Sequence, residues 1–405
     1  MERDYKLKVN KFIIGLSIFY LLIFIQTYDA EMTIYNTSLL AFSYKYGFIP
    51  RAFIGSIYNL LDVILPVDMY TYAMAMRFIE IVTALFFAIM ILIARKTLLM
   101  IDRIYFESVG VLWIIYGVLF VSMFSTKYNF GRVDLFMMLI DAIGIYLLLN
   151  RRAEWLIIPL SIIGVLIHEG FVFMYLGVLL VALFYRCLMS EKKTKYGLIL
   201  GLSFVGASIA FLLIHFVRNP VDVDTYLAIY REGRKLSNID MPHVSLLSAE
   251  LLCVNLADIE KTFHKENIIQ LPIFICMIVP YLLFAFGFVK NMFNKAENIA
   301  GKLTSLAIAL GWMTLLPNYL LKVDYGRWVF ATFNYCIMIL IMMICEGNEI
   351  VEYSLDIEVS KIKKHPGLAS LMMIYPIISV PFWDVYINES LKRMSDFINM
   401  YLQWY

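Results

Sequence analysis

Charge is scarce in this chain. Asp, Glu, Lys and Arg make up 16% of its 405 residues, against 61% hydrophobic, where soluble domains carry roughly a quarter charged. With mean hydropathy +0.77, no polar stretch is long enough to stand apart as a soluble domain. A net charge of +2 supplies no basic footprint for nucleic acid, which is excluded as a partner. Cysteine is sparse too. Cys187, Cys276, Cys336 and Cys345 fall in or beside apolar runs, and Cys253 is alone in a polar one. That spacing indicates neither a zinc site nor a disulfide framework. The first apolar run, Lys11 to Ile25, lacks a small-residue cleavage site and continues into Gln26-Thr27-Tyr28-Asp29, so it reads as an uncleaved span. There is no internal repeat and no low-complexity tract. The missing repeat weighs against a secondary transporter, which often carries inverted repeats around a midplane site.

What the chain has in quantity is apolar runs. They fall near 11–27, 70–94, 107–125, 134–149, 155–168, 170–189, 196–217, 269–289, 303–321, 328–345 and 368–385, long enough, some barely, to cross a membrane. The fold class expected is all-α: one polytopic membrane unit over 1–405 with about eleven spans, some short or re-entrant. Tyr and Phe, 27 and 30 of them, crowd the predicted span ends as interfacial belts. Basic residues fix the orientation. Arg3 to Lys11, Arg95 to Arg103, Arg151-Arg152, Arg186 to Lys195, Lys290 to Lys302 and Lys361 to Lys364 all face one side if the spans alternate from a cytoplasmic N-terminus. The opposite, outer loops hold mixed Asp, Glu, His and Arg. Two of these are long: 28–69, in which Phe48 to Leu65 is expected as an interfacial amphipathic helix started by Pro50 and Arg51, and 218–268, with short helices expected at Thr225 to Leu236 and Leu246 to His264.

Trp155 to Cys187 organises the rest. As one helix it would measure about 50 Å, too long for one crossing and too short for two full ones. Its single polar interruption is His168-Glu169-Gly170. Two short helices meeting there would set an imidazole and a carboxylate at the floor of a water-filled dip, since charge at depth requires protein or water around it. The pair suits a general base or a substrate-orienting role. The alternative is a polar turn that hydrogen-bonds its own backbone.

Arg51, Arg132 and Arg327 are the other candidates on the outer side. A guanidinium offers a planar fork suited to phosphate, and Asp134, Asp324 and Trp328 stand beside two of them. Local pairs Arg132–Asp134 and Asp324–Arg327, and an Arg51 that snorkels to lipid phosphate, are the plainer readings. Asp29 and Glu31 would point the same way in an extended segment, as a base or metal site would need, though acidic residues at a span end are common. Asp222 and Asp224 repeat that spacing in a polar loop, where solvation is the favoured reading. Inside the spans, Arg77 and Glu80 are placed for an ion pair at i, i+3, which Asp141 could join; a proton path is the sharper alternative. Asn36-Thr37-Ser38 and Asn388-Glu389-Ser390 fit the glycosylation sequon, which recurs by chance.

Gly131-Arg132-Val133-Asp134, Ile167-His168-Glu169 and Asp324-Tyr325-Gly326-Arg327-Trp328 resemble the punctuated sites of the Wzy/EpsG-like bacterial polysaccharide polymerases that build O-antigen and capsule. Asp29-Ala30-Glu31 resembles the first-loop acidic motif of the GT-C glycosyltransferases. The first resemblance implies a multi-pass enzyme of the bacterial cytoplasmic membrane with its active site outside. Its reaction would transfer a glycan from undecaprenyl pyrophosphate to an incoming lipid-linked repeat unit. His168 or Glu169 would then be the base, with Arg51, Arg132 and Arg327 on the pyrophosphate and Asp134 and Asp324 orienting them. No metal or other cofactor is implied. The partners implied are the polyprenyl-linked oligosaccharide, membrane lipid and other polysaccharide-assembly proteins. The second resemblance implies Asp29 or Glu31 as base and a polyprenyl-monophosphate sugar donor.

Overall fold

The computed structural model describes residues 2–27, 32–124, 130–219, 221–238, 279, 282–317, 325–368 and 370. Among them the chain is all-helical, without strands. In order the helices are α1 (Glu2–Gln26), α2 (Ile34–Ala41), α3 (Ala52–Ile64), α4 (Tyr72–Met100), α5 (Phe106–Phe124), α6 (Val133–Asn150), α7 (Ile157–Ile167), α8 (Phe171–Met174), α9 (Leu176–Met189), α10 (Lys193–Phe216) and α11 (Val223–Leu236). Beyond them come α12 (282–295), α13 (Ile299–Gly311), α14 (Tyr325–Cys345) and α15 (Glu349–Lys364). They divide into two compact units, one of Met1–Ile23, Ile91–Ser125 and Ala257–Tyr405, the other of Phe24–Met90 and Thr126–Leu256.

Among the described residues five helices are long and apolar enough to cross a membrane: Glu2–Ile25, Tyr72–Met100, Val133–Asn150, Lys193–Phe216 and Gly326–Cys345. Five of the eleven expected crossings therefore have a full-length apolar helix among the described residues. Within the run at 303–321, α13 ends at Gly311 and passes into a 3-10 turn over Trp312–Leu315, and 318–321 lie outside the described residues. Runs 269–289 and 368–385 lie largely outside the described residues. The stretch from 155 to 189 is broken as its length demanded. α7 has 11 residues, about 16 Å of rise.

Helix α10 shows how such a chain packs. Leu198, Leu202, Val205, Ile209, Leu212 and Phe216 are exposed along one stripe, while Tyr196, Ile199, Ser203, Ala207, Ala210 and Ile214 are buried along the other. The first stripe suits hydrocarbon. The second, rich in small residues, lets α7 and α9 approach closely.

Two helices depart from expectation. The interfacial helix begins at Ala52 rather than Phe48, because Pro50 and Arg51 form a turn before it. Its exposed face is the apolar one, with Leu60, Val63 and Ile64 outward. α15 lies in what reads as a plain basic loop. Its overall polarity hides a helical period, Val351, Leu355, Val359 and Ile362, all buried. Asn348 caps it, accepting from the Val351 N–H at 3.2 Å. The expected helix at 225–236 is present as α11, and Leu246 to His264 lies outside the described residues.

Candidate active site

The second unit brings three of the sequence-selected residues together. Pro50 forbids a helix at its predecessor, and the chain turns through Arg51 in the left-handed region at φ 60° before α3 starts. A non-glycine residue there costs on the order of 1–2 kcal/mol. The turn aims the guanidinium across the fold at Glu169, 118 residues away in sequence. Arg51 Nε donates to Oε2 at 3.1 Å and Nη2 donates to Oε1. Both side chains are largely buried, with 12% and 13% exposed. α3 can lie this close because Gly55 has no side chain: a Cβ there would collide with the Phe42 carbonyl oxygen at the end of α2.

Glu169 stands in the turn between α7 and α8. His168 N–H closes α7 onto Gly164 O at 3.1 Å, and Phe171 N–H returns to His168 O at 2.9 Å. The Phe171 ring covers Gly164, where a Cβ would sit 2.5 Å from it. The Gly170 N–H donates to His168 Nδ1 at 2.8 Å. Neutral imidazole bonded this way keeps its proton on Nε2, which makes that nitrogen a donor. The polar turn therefore hydrogen-bonds its own backbone, as the plainer reading expected. Glu169 Oε2 is 3.7 Å from His168 Nδ1, too long for a hydrogen bond. The Arg51 guanidinium engages both Glu169 oxygens, so the two form a buried, two-point ion pair.

Arg132 and Asp134 open α6 in the same unit. Gly131 takes the left-handed φ of 83° that the turn requires, and Asn36 Nδ2 donates to Phe130 O at 2.8 Å to hold it. Asp134, fully buried in the first helical turn, accepts from Tyr175 OH at 3.3 Å. Tyr175 is the kink between α8 and α9, so Asp134 is tied to the segment that follows the His168 turn. Arg327 and Trp328 belong to the other unit. They are buried at the start of α14, the guanidinium 5.3 Å from the Trp328 ring centroid. Asp29, Glu31 and Asp324 lie outside the described residues.

Several bland readings are decided. Asp222 caps α11, accepting from the Thr225 N–H at 2.7 Å. Asn36 is buried and bonded, so its sequon is not a surface acceptor; Asn388 is outside the described residues. The Arg77–Glu80 ion pair is absent among the described residues, because Arg77 turns outward from α4. Asp141 is fully buried. No group of three or more His, Cys, Asp or Glu that could hold a metal occurs among the described residues.

Sequence reasoning misses Lys45 and Glu232, which pair at 2.7 Å. It also misses buried Glu154, which accepts from Lys195 Nζ at 2.6 Å and Tyr196 OH at 2.8 Å. No motif marks either; partners 187 and 41 residues apart leave no local signal. Comparison with protein families, characterised proteins and solved structures finds no match.

Proposed function

We propose that this protein is a membrane glycosyltransferase that joins undecaprenyl-pyrophosphate-linked repeat units on the outer face of the bacterial cytoplasmic membrane. The observation that supports this best is the Arg51–Glu169–His168 cluster, held where two half-length helices meet. Burying a charged pair is expensive, and the cluster adds a left-handed arginine to that cost. Such concentrations of cost occur at functional sites.

In the reaction, an acceptor hydroxyl attacks the anomeric carbon of the donor glycan. The new C–O bond forms as the bond to the pyrophosphate oxygen breaks. His168 Nε2–H donates to the departing phosphate, and Arg51 presents its remaining N–H groups to the same charge. Glu169, with both oxygens engaged by Arg51, has the part of fixing that guanidinium rather than of taking a proton. The acceptor proton leaves late, to the released pyrophosphate. Arg132, at the head of α6, gives a second guanidinium for the lipid-borne phosphate.

The test is glycan length in cells carrying His168→Ala, Arg51→Ala or Arg132→Ala at normal expression. Each substitution should abolish lengthening. Long polymer retained with any two of them would sink the reading. The GT-C alternative keeps its sequence support in Asp29-Ala30-Glu31; complete loss of transfer in EDTA, restored by a divalent cation, would favour it.

A further inference from the structure

A second cluster lies just before Arg51 in the chain. The turn at Tyr44–Tyr46 and the bend after it carry Tyr44, Tyr46 and Phe48 at alternate positions, each partly exposed. Tyr44 and Phe48 stack, with centroids 5.9 Å apart and planes at 15°. Lys45 Nζ sits 5.0 Å from the Tyr46 ring centroid and 4.8 Å from that of Tyr70. It donates to Glu232 Oε1 on α11 at 2.7 Å, while Glu232 Oε2 is shielded and has no hydrogen-bond partner among the described residues. Burial, then the neighbouring Glu232 charge, pushes the Tyr46 phenol up to about 12, so its hydroxyl stays a donor at physiological pH.

An interfacial aromatic belt is the simplest account of tyrosines here, but this turn is pinned from two sides. Phe48 N–H donates to Asn219 Oδ1 at 2.5 Å and Asn219 N–H donates to Phe48 O at 2.8 Å. Tyr44 N–H donates to Ser56 Oγ at 2.8 Å. Fixed ring faces beside an ammonium, a phenol and a partly exposed carboxylate match the surface of a pyranose, which offers one C–H face and a rim of hydroxyls.

We propose that Tyr44, Tyr46, Phe48, Tyr70, Lys45 and Glu232 form a glycan subsite that holds sugars of the acceptor away from the reacting end. The inference rests on the glycan-transfer reading. Arg51 follows Lys45 by six positions, a chain reach of about 20 Å at most, which a short oligosaccharide can span. Sugar hydroxyls would donate to the exposed part of the Glu232 carboxylate and accept from Lys45 and Tyr46, with C–H faces on the rings.

The experiment uses the full chain in nanodiscs and, as probe, the oligosaccharide released by mild acid from the lipid-linked glycan of cells that make the protein. Saturation-transfer NMR should show magnetisation reaching the sugar ring protons. The Tyr46→Ala/Tyr70→Ala pair should weaken binding about tenfold, and Glu232→Gln should weaken it comparably. Tyr46→Phe/Tyr70→Phe, which keeps the ring faces, should stay within about threefold and carries the test with Glu232→Gln if the alanine pair does not fold. No transfer to the sugar, equal transfer in wild type and Glu232→Gln, or transfer to lipid headgroups alone would overturn the subsite. Sugar binding without any transfer of lipid-linked units would defeat the enzyme reading and leave the subsite standing. Transfer activity unchanged by Glu232→Gln, with no detectable sugar binding, would do the reverse.

Discussion

At Arg51 a left-handed backbone and a buried ion pair act on the same residue with opposite sign. The φ of 60° costs on the order of 1–2 kcal/mol, and the two-point contact with Glu169 offsets it. Removing one partner of a buried pair strands the other, typically at about 3–5 kcal/mol. Arg51→Ala and Glu169→Ala should each lower thermal stability in detergent on that scale. The Arg51→Met/Glu169→Met double variant should recover most of the loss; a double variant as unstable as the sum of the singles would show that the pair is not coupled. Arg51→Gly should be about 1 kcal/mol less damaging than Arg51→Ala, because glycine accepts the left-handed conformation. These changes measure what the pair does for the fold, separately from what it does for transfer.

Between elements, one glycine sets the approach of α3 to α2. Gly55→Ala would drive a Cβ into the Phe42 carbonyl oxygen, and backbone cannot yield as a flexible side chain can. Its yield of folded protein should fall sharply, whereas Gly201→Ala, with nothing within 4 Å, should fold normally. α15 carries a pH response of its own. Burial, with Asp102 and Glu349 nearby, raises the Glu352 carboxyl to about 7, while Tyr5 and Tyr105 also face it. Between about 4.5 and about 7 the folded form holds a proton that the unfolded chain has lost. Stability contributed by this group is therefore complete below that window and declines as pH rises through it. Melting temperatures from pH 5 to 8 should fall for the wild type and flatten for Glu352→Gln; an unchanged slope in the variant would assign the effect elsewhere.

For the whole molecule, the exposed apolar stripes of α1 and α10 and the five long apolar helices require a lipid solvent, since water would penalise that surface at about 25 cal/mol per Å². Hydropathy made this plain from the sequence, as it did the break at His168-Glu169-Gly170, because a run of the wrong length must bend at its only polar point. Arg51 was marked instead by its chemistry, a guanidinium directly after Pro50 in an outer loop. Helix α15 stayed hidden because polar residues mask its period, and apolarity marked the runs without fixing where their helices end, as at Gly311. The partner of Arg51 could not be read at all. The sequence by itself determined an all-helical, lipid-embedded chain and the place where it must turn, since those follow from composition and local spacing. Only the tertiary structure decided that Arg51 meets Glu169, that Lys45 meets Glu232 and that His168 presents a donor, because each depends on contacts between segments that no local pattern connects.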